Sequence, residues 1–173
     1  MKLIAICCCL IAAQLSHAEL SVNPQGGFTS VQTTVLLGSP EEMYDAMTGD
    51  ILPWWDHHFS EHPKSLRIEP WPGGKFIEEF NDKGNGVLHA TVIFADRPKM
   101  LRYDGPLGLT GRALNSVVTY EFTPQGDSTQ IKVTAQLQGA IDEEWAKIVD
   151  GVWYHFLVEA FKPYVETGKS KPK

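Results

Sequence analysis

Three of the chain's six histidines fall within nine residues, in the segment Trp54-Trp55-Asp56-His57-His58-Phe59-Ser60-Glu61-His62. Imidazoles beside carboxylates suit a divalent cation or proton transfer, and His58 and His62, four apart, would share one face of a helix. Pro53 and Pro63 bracket the segment, however, and no H-E-x-x-H pattern is present. The segment therefore reads as a polar, solvated loop, and neither a metal at His57, His58 and His62 nor any cofactor is expected.

Two further groups have the chemistry for acid–base work. In the run Lys75–Phe80, Glu78 shares a parity with Phe76 and Phe80, because alternate strand residues point the same way. That makes Glu78 either a buried acid on an inner face or a partner of an arginine such as Arg102, with Glu79 directed to solvent. His155 and Glu159 stand four apart near the C-terminus, at helical contact distance, as a possible base with its orienting carboxylate or as a surface pair. The candidate catalytic residues are thus Glu78, His58 and His155. His89 falls on the same parity as Thr91, opposite Leu88, Ala90, Val92 and Phe94, and is expected in solvent.

Other chemistries are excluded. There is no G-x-S-x-G elbow and no phosphate-binding loop, and Gly84-Asn85-Gly86 lacks the third glycine and following helix of a dinucleotide site. The three cysteines are consecutive, Cys7 to Cys9, so the other 170 residues hold no thiol for a disulfide, a thiolate metal site or a nucleophile. A formal charge of −6, from 15 Lys+Arg against 21 Asp+Glu, disfavours nucleic acid and anionic membrane surfaces.

The elements that must position these residues follow from periodicity. Phe28 to Leu37, rich in Thr and Val, reads as a strand ended by Gly38. Ser39-Pro40-Glu41-Glu42 reads as a helix start with a capping box, and Gly49 ends that helix. A second brief helix or turn is expected at Ile51 to Trp55. Strand patterns then recur at 66–69, 75–80, 87–96, 99–104, 116–123 and 129–138, separated by short Gly, Pro and Asn turns that imply antiparallel hairpins. From Asp142 to Val165, the residues Trp145, Val149, Val152, Phe156 and Ala160 recur at spacings of four, three, four and four, one face of a long helix. The fold class is α+β, a curved antiparallel sheet wrapped around a long C-terminal helix, with two short helices after the first strand.

Lys2, the apolar run Leu3 to Ala13 and the triplet Ser16-His17-Ala18 carry the marks of a secretory signal peptide cut after Ala18. The run falls short of the roughly 20 residues a membrane span needs. The expected organisation is a signal peptide at 1–18, an N-terminal extension at 19–27, one domain at 28–167 and a flexible tail at 168–173. The mature chain, periplasmic or secreted, would hold no cysteine and no membrane span.

Taken together, Ser39–Thr48, Trp54-Trp55, Pro72-Gly73-Gly74-Lys75-Phe76, Arg97–Leu101, Thr119-Tyr120-Glu121-Phe122 and the C-terminal Leu157, Phe161, Tyr164 and Gly168 resemble the SRPBCC superfamily of START-like, helix-grip proteins. Within it the chain is most similar to the branch homologous to the activator of the heat-shock-protein-ninety ATPase. The resemblance implies a hydrophobic cavity between sheet and long helix that holds a small apolar ligand, for which Trp54, Trp55, Phe59, Phe76, Glu78, Tyr103, Tyr120, Trp145, Val149, Val152 and Phe156 are the candidate lining. It implies a carrier or sensor or, alternatively, a cyclase- or dehydratase-like enzyme in the same cavity. An exported chain would not meet the cytosolic chaperone of the family name.

Overall fold

A computed structural model describes residues 16–22 and 26–168; the bulk of the leader read at 1–18 lies outside them. Nine strands form one antiparallel sheet: β1 His17–Val22, β2 Phe28–Leu37, β3 Gly49–Asp50, β4 Ser65–Ile68, β5 Lys75–Glu79, β6 Gly86–Asp96, β7 Met100–Asp104, β8 Leu114–Gln125 and β9 Ser128–Gly139. Their spatial order is β1-β2-β9-β8-β7-β6-β5-β4-β3. Every neighbouring pair but β2–β9 is consecutive in the chain, as antiparallel pairing allows. Part of the N-terminal extension, with His17 and Ala18 ahead of it, pairs with β2 as the edge strand β1.

Between β2 and β3 lies α1, Pro40–Ala46. Its capping box is present: Ser39 Oγ accepts the Glu42 N–H, and Glu42 Oε2 accepts the Ser39 N–H at 2.7 Å. The second of the two expected short helices is a single turn, in which the Trp54 and Trp55 N–H groups both donate to Ile51 O. It goes no further: from Trp55 to His58 the chain takes no regular structure.

The C-terminal helix starts on Asp142, whose side chain accepts the Trp145 N–H at 2.9 Å, and ends at Gly168 in the left-handed conformation that favours glycine. It is not uniform. α2, Glu143–Tyr154, passes into a π-helical stretch, His155–Phe161, and then into α3, Lys162–Thr167. Pro163 cannot donate to the carbonyl four residues back, and just before it Lys162 N–H reaches Leu157 O, five residues back. The wider turn buries adjacent pairs, Phe156 with Leu157 and Ala160 with Phe161, where an α-helix would bury a narrower stripe. The expected stripe of Trp145, Val149, Val152, Phe156 and Ala160 is joined by a deeper one of Ala146, Trp153, Leu157 and Phe161.

The helix lies against β1 and β2, and α1 against β8 and β9. Apolar side chains fill the space between, led by Tyr44, Trp54, Phe76, Leu101, Tyr120 and Phe161. Each fully buried large side chain contributes about 1.5–3 kcal/mol. One strip of the interface is polar: Ser30, Gln32 and Thr34 of β2 are buried, and Asp150 of α2 accepts from Ser30 Oγ at 2.6 Å and from Gln32 Nε2 at 2.9 Å.

Candidate functional site

The strand β6 carries two bulges against its neighbours. Phe76 pairs with Ala90 but Ile77 pairs with Leu88, which leaves His89 as the extra residue. A bulge turns two consecutive side chains to the same side. His89 and Ala90 are therefore both buried, and Leu88 is 50 % exposed. This corrects the sequence expectation of a solvated His89, because a strict period of two cannot survive an inserted residue. A second bulge, between Val92 and Phe94, leaves Phe94 exposed with Arg102 over its ring.

Inward of β5 and β6 opens a cavity of about 530 Å³. Trp145, Ile148, Val149, Val152, Trp153 and Phe156 line it from the helix, Trp55 to Phe59 from the loop after α1, Phe76 and His89 from the sheet. Leu137 of β9 and the Pro106–Leu109 connection between β7 and β8 complete the lining. Its volume falls within the range of small-molecule sites, which are mostly apolar with a few polar groups.

The two tryptophans divide their work. Trp55 lines the cavity, stacked on Phe156 with ring centroids 3.7 Å apart, and its Nε1 donates to His57 O. Trp54 is in the core beneath, edge-on to Phe161, with Nε1 donating to Ala46 O. Of the other expected lining residues, Phe59, Phe76, Trp145, Val149, Val152 and Phe156 do face the cavity, whereas Tyr103 and Tyr120 do not. These two are fully buried with their hydroxyls 2.7 Å apart, and burial pushes both phenols well above their ordinary pKa.

Glu78 is fully buried, directly behind this lining. Its Oε2 accepts the Phe59 N–H at 2.9 Å and its Oε1 the Ser60 N–H at 2.7 Å, so it anchors the aromatic loop to the sheet. Its further neighbour is His89, with Nε2 3.4 Å from Oε2, not an arginine: Arg102 donates to Thr119 Oγ1 on the opposite side. Burial holds the His89 imidazole below its usual pKa, against the opposing pull of Glu78 and of a backbone hydrogen bond to Leu107. Leu107 itself has φ of 53°, a backbone strain unusual for a leucine. Glu79 faces outward as expected, and hydrogen bonds from Arg67 and Ser65 bring its carboxyl down to about 2.

His58 lines the cavity with Nδ1 turned to Ser60 O. His155 does not line it. Its Nε2 lies 2.8 Å from Asp56 Oδ2 and its Nδ1 3.0 Å from Glu159 Oε2, at the outer edge of the loop. Burial alone would lower the His155 pKa, but the carboxylates of Glu159 and Asp56 outweigh it and hold it up. Asp56 is partly buried, which raises its carboxyl, yet His57 and His155 bring it down overall. Among the described residues the donors that come together are not His57, His58 and His62 but Asp56, His57 and His155. Sequence reasoning missed Asp56 as the link, since it joins residues 99 positions apart.

Solved structures share this architecture. CalU16 from Micromonospora echinospora superposes with a TM-score of 0.59 at 17 % identity, over 93 % of this chain and 88 % of its own. A conserved protein of unknown function from Enterococcus faecalis, EF2215, gives 0.63 at 15 % identity, over 90 % and 80 %. The protein MLL2253 from Mesorhizobium loti gives 0.57 at 21 % identity, over 80 % and 96 %. Such low identities establish the helix-grip fold alone. No curated protein sequence matches the chain. The family described as "Activator of Hsp90 ATPase homolog 1-like protein" matches residues 38–166, which take in α1, the sheet from β3 to β9 and nearly all of the long helix. The chain belongs to this family of activator of Hsp90 ATPase homolog 1-like proteins.

Proposed function

We propose that this protein binds a small apolar molecule in the cavity between helix and sheet and acts as an exported carrier or sensor. The observation that carries this reading is the lining itself. Trp55, Phe76, Val149, Val152, Trp153 and Phe156 surround about 530 Å³, while the ionisable side chains among the lining are few, Asp56, His57, His58 and His89. Burying apolar ligand surface there gains about 25 cal/mol per Å² before the costs of association. Export rests on the leader pattern Lys2, Leu3 to Ala13 and Ser16-His17-Ala18. Among the described residues no helix is long and apolar enough to cross a membrane.

The test is uptake of the neutral apolar dye N-phenyl-1-naphthylamine, together with native mass spectrometry of protein purified under gentle conditions. Saturable dye fluorescence is expected, reduced at least tenfold by Val149→Trp, which fills the cavity from the helix. Dye uptake equal in the wild type and Val149→Trp, or none in either, overturns the reading.

An enzymatic reading draws on a different observation, the Glu78–His89 contact behind the cavity wall. A buried carboxyl beside an imidazole that lines the cavity can move a proton to or from a bound substrate. His155, the third candidate, is not among the residues that line the cavity. Turnover of a captured ligand, lost in His89→Asn with binding retained, would distinguish this reading from a carrier.

A further inference from the structure

His155 has a carboxylate oxygen at each ring nitrogen: Glu159 Oε2 at 3.0 Å from Nδ1, and Asp56 Oδ2 and Oδ1 at 2.8 Å and 3.0 Å from Nε2. A neutral imidazole carries one N–H and can satisfy only one of them. The other contact needs a positive charge between ring and carboxylate, either a second proton or a cation. Asp56 meets a second imidazole as well, with Oδ1 2.8 Å from His57 Nδ1. A proton on His155 Nε2 and another on His57 Nδ1 would serve the two Asp56 contacts separately, whereas a divalent cation among the three donors serves both at once. The donor atoms of Asp56, His57 and His155 lie within 4.8 Å of one another.

We infer that Asp56, His57 and His155 form a binding site for a first-row divalent cation of the zinc type, with Glu159 orienting His155 from behind. Two imidazoles and a carboxylate are the donor set that zinc accepts, and three protein ligands leave the fourth tetrahedral position open. A ligating histidine ordinarily donates its remote N–H to a carboxylate, which is the place Glu159 holds. With both imidazoles neutral, Asp56 and Glu159 give the cluster a charge of −2, which the ion balances. Donors around zinc at about 2.0–2.1 Å stand about 3.3 Å apart, so the present contacts must open by about half an ångström. His57 can supply that movement, since its side chain is 52 % exposed. Asp56 and His57 also line the cavity, so the ion borders it and its open position is within reach of a ligand. The site stands whether or not the cavity takes an apolar molecule.

Titration of the purified, chelator-treated protein, free of any histidine tag, with Zn²⁺ in a calorimeter tests this. Absorption of the Co²⁺ complex gives a second readout. One equivalent of Zn²⁺ is expected to bind, and Co²⁺ should show the intense visible bands of a four-coordinate site. His57→Gln and Asp56→Asn should each weaken binding at least tenfold. Glu159→Gln should weaken it about tenfold, as second-layer partners of zinc ligands do. His62→Gln should leave it unchanged. Because His57 is exposed, its variant keeps the fold. Absence of Zn²⁺ and Co²⁺ binding in the wild type, or binding that is indifferent to His57→Gln, overturns the site.

Discussion

Glu78 Oε2 lies 3.4 Å from His89 Nε2, in a part of the sheet where both residues are buried and a bulge in β6 has turned the histidine inward. The relationship couples three elements. Glu78 belongs to β5, His89 to β6, and the two N–H groups that Glu78 accepts belong to the loop that carries Trp55, His57, His58 and Phe59 to the cavity.

Replacing Glu78 by glutamine turns one acceptor into a donor that faces a backbone N–H. A buried donor left without an acceptor costs about 1–3 kcal/mol. At about 2–4 °C per kcal/mol for a domain of this size, Glu78→Gln should lower Tm by several degrees. Circular dichroism melts measure this. The loop should also loosen, so that quenching of tryptophan by acrylamide increases in Glu78→Gln at temperatures well below the melt. A variant that melts with the wild type would mean that the two hydrogen bonds do not hold the loop.

His89 gives the fold a defined pH dependence. Burial lowers its folded pKa below the ordinary value of about 6.5, so the unfolded chain binds the proton more readily than the folded one. The resulting stability is present above about pH 6.5 and is lost as pH falls from there through the folded pKa. His155 works in the opposite sense, because its folded pKa is raised and its contribution fades as pH rises. The difference between wild type and His89→Asn isolates the first effect. Urea unfolding from pH 5 to 8 should show the wild type losing stability relative to His89→Asn below pH 6.5, with the gap constant above pH 7.

Sequence periodicity located the sheet, the capped first helix and the long helix because each rests on local signals: Ser39 and Glu42, the turn glycines, and the apolar spacing from Trp145 to Ala160. It failed where one residue shifts a register. The parity of β6 reads as one inner face, yet the bulges bury His89 and expose Leu88 and Phe94. Nor does hydrophobicity mark the inner face of β2: Leu37 is 74 % exposed and Gln32 is 1 % exposed. The strand can bury Gln32 only because Asp150 comes to it from α2, 118 residues away, and no local pattern records that partner. The aromatic lining was legible for a simpler reason, since large rings beside a stripe of helix face few other places to go.

Asp150 therefore holds more than a helix surface. Its Oδ1 takes hydrogen bonds from both Ser30 and Gln32, and Gln32 Oε1 already lacks a hydrogen bond among the described residues. Asp150→Ala would leave the Ser30 hydroxyl without its acceptor and Gln32 Nε2 with only its longer contacts to Ser30 Oγ and Asp150 O, and should cost about 1–3 kcal/mol, the cost of one buried group left unpaired. Asp150→Asn keeps one oxygen acceptor and should recover about half of the loss. Denaturant midpoints with an unchanged m-value would show that the effect is on stability and not on the compactness of the unfolded chain.

The hydroxyls of Tyr103 and Tyr120, 2.7 Å apart in full burial, give a test of the core that single substitutions cannot. Tyr120→Phe removes one hydroxyl and leaves that of Tyr103 buried beside a phenyl edge, and Tyr103→Phe does the reverse. Each single change should cost about 1–2 kcal/mol, most of it the burial of an unpaired hydroxyl. The double variant removes both polar groups, and replacing both partners by apolar ones is nearly neutral. Its loss should therefore be smaller than the sum of the two singles by about 1 kcal/mol or more, a coupling of the size that contacting residues show. Strict additivity in the cycle would mean that the pair contributes through packing of its rings, which meet edge-on at 5.4 Å, and not through the hydrogen bond between them.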